Sequence, residues 1–410
     1  MTTSARSVFE ENAEETVRFS QRVKQITMSA IKQMPILASK VGGCVSLGQG
    51  IPSFGTPDFI RDAIIKELSE NDAIGKYSIQ PGVPALIQAL AEDLRRSKKA
   101  QIDDPQSELF ISCGGMEALA AAMTVIVERG DEVILPTPTY SSHIEQILFA
   151  EGVPRFVPAL EHDNWRLDID GFRKAITPKT KAIVLCNPVN PTGAVFPESD
   201  MRAIAQLVVE KDIYLILDEA YDFLLYDETP YFSLLSIPEL KKHLISCGSF
   251  SKRFCMTGWR VGYMLAPPAV IRQGLKVHDA FAICAPTISQ YAALAALRAT
   301  NGKDGQGDRF VAKLIATLQS RRELVCERLD RLAHVFSYTK PKGGYYVFPK
   351  YEGEDASVDF AVRILNEARV ITIPGGAFGP AGEHHIRISF GGAEAELNES
   401  FDRLDRFFKA

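Results

Sequence analysis

The chain has 410 residues, with 46 Lys and Arg against 51 Asp and Glu and a formal net charge of −5. Hydrophobic residues make up 46% and charged residues 24%, the profile of a soluble globular protein and not of a disordered, collagen-like or coiled-coil chain. The length suits two or three cores, and the acidic balance gives no global attraction for nucleic acid.

In chain order, residues 1–24 mix Arg6, Arg18, Arg22 and Lys24 with Glu10, Glu11, Glu14 and Glu15. They lack the apolar core of a secretion signal and the acid-poor character of a transit peptide. Gly114-Gly115 opens a predicted helix over Met116–Glu128, closed by Arg129-Gly130. Its apolar stretch Ala118–Val127 is about half of what a membrane span needs. Strands are predicted at Glu132–Leu135, Lys181–Cys186, Ile213–Leu217, Leu244–Ser246 and Val261–Leu265. A helix is predicted over Asp200–Glu210, with Ser199 as its cap. This alternation predicts an α/β large domain over residues 50–300, with a mostly parallel central sheet flanked by helices.

From Asn301 to Asp308 the chain is polar and glycine-rich, a surface turn or linker. A long helix follows over Arg309–Ala333, then a strand at Tyr345–Phe348 and a helix at Val358–Ala368. Strands at Val370–Ile373 and His385–Ser389 and a helix from Glu394 to Phe408 complete an α+β unit. With residues 1–49 it is expected to form a smaller second domain. The seven cysteines are scattered without a C-x-x-C pair, so neither a disulfide framework nor a metal site is predicted, and the cytoplasm is the expected compartment.

In open α/β sheets, ligands bind beyond the carboxyl ends of the strands. Here those ends carry Asn187-Pro-Val-Asn190-Pro-Thr-Gly193, Asp218-Glu-Ala-Tyr221 and Ser249-Phe-Ser251-Lys252. Singly, each has a plain alternative: Asn190 as a turn former, Asp218 as a helix cap, Lys252 as a solvated surface residue, Gly114-Gly115 as a tight turn. Together they point further. Asp218 ends a run buried on both faces, where an ionised carboxylate needs a cation beside it. Lys252 follows two hydroxyls, and Arg260 comes eight residues later. A lysine, hydroxyls and an arginine at one strand end suit a phosphate plus a carbonyl-derived group. A helix opened by two glycines adds N–H donors and a positive dipole end.

Ser249-x-Ser251-Lys252 with Arg260, Asn190-Pro-Thr-Gly193 upstream and Asp218-x-x-Tyr221 between them resemble the class I/II aminotransferases, fold-type I pyridoxal-phosphate enzymes. The similarity runs from about Ser46 to Phe390. It implies pyridoxal 5'-phosphate as cofactor, with Lys252 forming the Schiff base and moving the substrate proton. It implies that Asp218 pairs with the pyridine nitrogen, that Asn190 and Tyr221 bond the ring's phenolic oxygen, and that Tyr140 stacks on the ring. It assigns the phosphate to the Gly115 and Met116 N–H groups, Ser249 and Arg260, with Ser251 a weaker candidate. Tyr77 matches a tyrosine that reaches the phosphate from a neighbouring subunit, which implies a homodimer; the plain alternative is a half-buried tyrosine before a turn. Arg387, with Gly50 and Asn190, matches the substrate-carboxylate site; its alternative is an exposed strand arginine.

What the resemblance implies is a ping-pong aminotransferase acting on a small amino acid and a 2-oxo acid such as 2-oxoglutarate. Met116 stands where some aspartate-preferring relatives carry a lysine, and Ser53 where an acidic residue is frequent. Both tilt the expected donor towards a neutral or aromatic amino acid. A carbon–sulfur β-eliminating lyase on the same fold and a non-catalytic cofactor-binding regulator are the alternatives. Neither membrane nor nucleic acid is an expected partner. Cys255 and the pair His384-His385 are assigned no chemistry, the cysteine as core and the histidines as exposed strand-end residues.

Overall fold

The computed structural model describes residues 18–26, 28–301 and 305–409. Among them, the main sheet has seven strands: β1 (Leu109–Ser112), β2 (Glu132–Thr137), β3 (Val153–Pro158), β4 (Thr180–Cys186), β5 (Tyr214–Asp218), β6 (Leu244–Ser249) and β7 (Gly262–Leu265). Their order is β1-β7-β6-β5-β4-β2-β3. The run from β6 to β3 is parallel, and β7 lies antiparallel to both β6 and β1.

The central strands carry continuous apolar runs, such as Ala182–Cys186 and Leu215–Leu217, because both faces are covered. Ala182, Val184 and Ile216 point into one cluster with Ala118 and Ala122 from helix α2 (Gly115–Ile126) and Ile271 from helix α5 (Pro268–Ala282). Ile183, Leu185, Leu215 and Leu217 point the other way. They meet Met201, Ile204 and Val208 from helix α4 (Glu198–Lys211) and Leu90 and Leu94 from helix α1 (Pro84–Lys98). Helix α3 (Ser141–Phe149) follows β2.

A further buried cluster joins Leu314, Leu318, Val325 and Leu329 of helix α6 (Gln306–Asp330) to Leu397, Phe401 and Leu404 of helix α7 (Glu394–Lys409). Two short strands, β8 (Tyr346–Val347) and β9 (Ile373–Pro374), both pair antiparallel with β10 (Ile386–Ser389). Leu47 joins this cluster, and Val45–Ser46 pairs in parallel with Val370–Ile371, so the early chain is tied to the late chain. No helix among the described residues is long and apolar enough to cross a membrane.

The structure corrects several element expectations. Helix α4 starts at Glu198 with Pro197 at its cap position, so Ser199 lies inside the first turn; its hydroxyl turns to Asp200 instead (3.3 Å). Helix α2 ends at Ile126, two residues short of the predicted end. Helix Thr287–Asn301 takes in the first residue of the predicted glycine-rich turn and α6 takes in its last three from Gln306; residues 302–304 lie outside the described residues. The predicted strand Val370–Ile373 divides at Thr372 into pieces that serve different sheets. The Val358–Ala368 helix starts at Ser357 and widens to a π-helix over Ile364–Ala368. Strands β1 and β3 were not predicted: β1 is four residues long, and β3 carries Pro154 and Pro158, tolerated because it is an edge strand.

Candidate active site

The carboxyl ends of β5 and β6 bring the predicted residues together. Asp218 is the last residue of β5 and is buried. Its Oδ1 accepts from the Ala220 N–H (3.1 Å), and its Oδ2 lies 3.1 Å from His143 Nε2. An ionised carboxylate only accepts, so that imidazole nitrogen carries the proton. His143 is itself buried, and its Nδ1 sits 3.2 Å from Thr139 Oγ1, four residues earlier and just ahead of α3. Residues 220–223 form a turn and not a helix, so the capping alternative falls.

Lys252 lies in the turn after β6, and its Nζ donates to the Gly50 carbonyl at 2.8 Å. The Tyr345 hydroxyl donates to the same carbonyl at 2.7 Å. Burial, reinforced by Arg387 and Arg260, lowers the Lys252 ammonium to about 8. This is the opposite of a solvated surface lysine. A Cβ on Gly50 would overlap the Tyr346 hydroxyl, so any larger residue there would push that side chain aside.

Arg387, on β10, is 1% exposed, which excludes the exposed-strand alternative. Its Nη1 donates to Asn190 Oδ1 (3.1 Å) and its Nη2 to the Gly48 carbonyl (2.7 Å). The guanidinium is held between the rings of Tyr346 (4.4 Å) and Phe378 (5.2 Å). Its buried Nε has no hydrogen-bond partner. Tyr221 is buried, with its hydroxyl 3.0 Å from that of Tyr346. Burial, with Tyr345 and Tyr346 nearby, pushes its phenol well above the ordinary range. Burial also raises the phenol of Tyr140, whose ring meets His143 edge-on at 5.6 Å.

The third group sits at the start of α2. Gly114 caps the helix at φ +83, and a Cβ there would lie 2.6 Å from Arg260 Nη2. A Cβ on Gly262 would lie 2.5 Å from the Gly115 nitrogen and 2.7 Å from the Gly248 carbonyl oxygen. The Gly115 and Met116 N–H groups belong to the first turn, where helix geometry supplies no acceptor. Arg260 donates to the carbonyls of Thr257 (3.0 Å) and Cys113 (3.5 Å). Ser249 Oγ accepts from the Ser251 N–H at 3.1 Å. Backbone donors, Arg260 and Ser249 thus adjoin a glycine-walled corner whose chemistry suits an anion.

Tyr77 is 78% exposed and hence neither half-buried nor in contact with the rest of the site. His385 is buried, not exposed as expected: its ring stacks on Phe348 (4.8 Å) and its Nε2 faces Glu161 (3.2 Å). Cys255 is buried as expected, and burial pushes its thiol up to about 12. Sequence reasoning missed His143, Tyr345, Tyr346 and Gly48. For His143 the available signal was its position four residues after Thr139 at a strand end.

The family model for aminotransferase class I and II matches residues 43–404. The chain belongs to the class I and II aminotransferases. It is 34% identical to an aspartate aminotransferase of Pyrococcus abyssi, covering 95% of this chain and 98% of that one. It is 33% identical, with the same coverage, to aromatic-amino-acid aminotransferase 2 of Thermococcus litoralis. Among solved structures, the aspartate aminotransferase of Thermus thermophilus with maleate aligns at TM-score 0.88 and 34% identity, over 95% of this chain and all of that one. The aromatic aminotransferase of Pyrococcus horikoshii aligns at TM-score 0.85 and 35% identity, over 92% and 98%.

This family member is therefore a transferase that uses pyridoxal phosphate and acts on small amino and oxo acids. Its residues fit that cofactor. Lys252 offers a part-buried amine of lowered basicity for an aldehyde, Asp218 a buried carboxylate for a pyridinium, and the Gly114–Gly115 corner with Arg260 a seat for a phosphate.

Proposed function

We propose that this aminotransferase takes nitrogen from a neutral or aromatic L-amino acid and passes it to a 2-oxo acid such as 2-oxoglutarate in a ping-pong sequence. The first product leaves before the second substrate enters. The observation that carries the reading is the convergence of Lys252 and Arg387 on adjoining backbone. Lys252 bonds the Gly50 carbonyl, and Arg387 bonds the Gly48 carbonyl two residues earlier. When bound, pyridoxal phosphate supplies the aldehyde that receives nitrogen and the ring that withdraws electrons from the α-carbon.

The chain's own groups do the rest. Lys252 would hold the cofactor and then accept and return the α-proton at Nζ. Asp218, backed by His143, would keep the ring nitrogen protonated, and Asn190 and Tyr221 would bond the ring oxygen. Tyr140 would cover the ring face. Gly115, Met116, Ser249, Ser251 and Arg260 would seat the phosphate, and Tyr77 would complete the seat of the neighbouring subunit. Arg387 would grip the substrate carboxylate with its planar fork, beside Asn190 and the Gly50 backbone.

Two features favour an uncharged donor side chain. Met116, 37% exposed at the opening of α2, brings no charge there, and aromatic rings flank the carboxylate site. A homodimer in a cytoplasmic setting is part of the proposal: Tyr77, Ile79, Ile65 and Phe281 leave apolar surface exposed. So is a large unit over residues 50–300 beside a smaller one built from residues 1–49 and 301–410, consistent with the cluster that joins Leu47 to α6 and α7.

The test is a panel of amino acids added to the holoenzyme, followed by loss of its visible absorption and recovery on adding 2-oxoglutarate. Phenylalanine or tyrosine should give a higher kcat/KM than aspartate. Aspartate equal to or above them would overturn the donor assignment.

A further inference from the structure

Three site residues are each followed by a charged residue: Asp218 by Glu219, Tyr221 by Asp222, and Lys252 by Arg253. All three charged residues reach the same helix, α1. Lys98 Nζ lies 3.0 Å from Glu219 and 2.5 Å from Asp222, and Asp93 accepts from Arg253 Nη1 at 2.8 Å. Lys98, Glu219 and Asp93 are buried. Glu219 is further fixed by the hydroxyls of Tyr231 (2.6 Å) and Ser246 (3.0 Å). With Arg96 on Asp93 (2.7 Å), three cations face three carboxylates.

Buried ion pairs of this kind add little net stability over apolar packing, while losing one partner strands the other. What they fix well is distance and direction. Glu219 directly follows Asp218 at the end of β5 and Asp222 directly follows Tyr221 in the next turn; Arg253 belongs to the turn that carries Lys252. Their partners lie five residues apart on one rigid helix.

We propose that Lys98 and Asp93 are positioning residues, an ionic clamp on α1 that sets the separation of the Asp218–Tyr221 turn from the Lys252 turn. The proposal builds on the reading of Lys252 and Asp218 as cofactor-holding residues. The clamp touches neither substrate nor cofactor; it acts through Glu219, Asp222 and Arg253. Its two halves carry opposite charge, which gives it a signature that loss of packing would not produce. The charged and titratable groups near Lys252 are Arg387, Arg260, Asp218 and Cys255, with Tyr345, whose ring lies 5.9 Å from Nζ. Lys98→Met leaves excess negative charge behind them and favours a protonated Lys252 nitrogen, whereas Asp93→Asn leaves excess positive charge and disfavours it.

The experiment is a pH titration of the visible absorption of the holoenzyme, together with kcat and KM. Lys98→Met should raise the titration midpoint by about 0.5 unit or more, and Asp93→Asn should lower it by a similar amount. Each should cut kcat about tenfold with KM changed less than about threefold, as expected for mispositioned reacting groups. Lys98→Met/Glu219→Gln, which rebalances charge, should return the midpoint to the parental value. Parental midpoints and kcat in both single variants would overturn the clamp, whatever happens to thermal stability. If Lys98→Met does not fold, Asp222→Asn, at a partly exposed site, takes its place with the midpoint expected to fall; an unmoved midpoint and kcat there and in Asp93→Asn overturn the proposal equally. A parent that binds pyridoxal phosphate without any pH-dependent band would instead refute the Lys252 reading.

Discussion

At pH 7 a lysine at about 8 is roughly one-tenth neutral, against about 0.03% for an ordinary lysine, so Lys252 presents on the order of 300 times more free amine. Capture of pyridoxal phosphate by the cofactor-free protein should therefore rise with pH to half-maximum near 8, read as the rate of colour development. Arg387→Gln removes one of the cations that lower Lys252, so the half-maximum should move upward. A midpoint near 10 in the parent would show that the amine is unperturbed. The same shift has a stability consequence. Between about pH 8 and 10.5 the unfolded chain binds the proton that the folded chain has released, so folding gains from Lys252 as pH rises through that window. Cofactor-free parent measured against Lys252→Met should gain stability there, by denaturant titration at pH 7.5 and 10. Gly50 gives a second residue-level test. A Cβ there would overlap the Tyr346 hydroxyl, while the next ring atom lies at an ordinary 3.5 Å. Gly50→Ala should cost about tenfold in kcat/KM, and adding Tyr346→Phe should recover part of it; strictly additive losses would refute the steric account.

For the elements, the approach of α2 to the arginine gives the sharpest prediction. Gly114 has φ +83 and abuts Arg260, while Gly130 has φ +87 with nothing within 4 Å of a Cβ. Alanine at either should strain the backbone by about 1–3 kcal/mol. Only Gly114→Ala should also displace Arg260 and weaken retention of pyridoxal phosphate, about tenfold in Kd by equilibrium dialysis; equal Kd values in both variants would count against the anion corner. The strands that carry the site were legible because burial on both faces leaves short apolar runs, as in Ile213–Leu217 and Ala182–Cys186. What was hidden has local causes. Prolines at 154 and 158 mask an edge strand, and Ser199 resembles a cap although Pro197 holds that position. The polar ends Asn190, Asp218, Lys252 and Arg260 were readable because charge at a buried strand end demands a reason. Tyr346 was not, since an isolated tyrosine in a sequence gives no sign of which group it will face, and for His143 the one sign was Thr139 four residues earlier.

On the scale of the molecule, Tyr77 is the residue that one chain leaves unexplained. It is 78% exposed, in an apolar neighbourhood with Ile79 at 68%, and within its own chain it meets none of the other site residues. If it serves the phosphate of a second copy, Lys252 and Tyr77 of one chain belong to different active sites. Lys252→Ala alone should then lose about a thousandfold or more in turnover, and Tyr77→Ala alone should weaken cofactor binding about tenfold. Co-expressing the two variants with different affinity tags and isolating the mixed dimer separates the geometries. One site in that dimer would carry both substitutions and be inactive, while the other would join an intact Lys252 to an intact Tyr77 from across the interface. The mixed dimer should therefore bind one cofactor with parental affinity and reach about half of the parental kcat. If Tyr77 served its own chain, the subunit with Lys252 would lack Tyr77, and tight binding would be found only at the inactive site. Sedimentation of the parent as a monomer at micromolar concentration would refute the shared site outright.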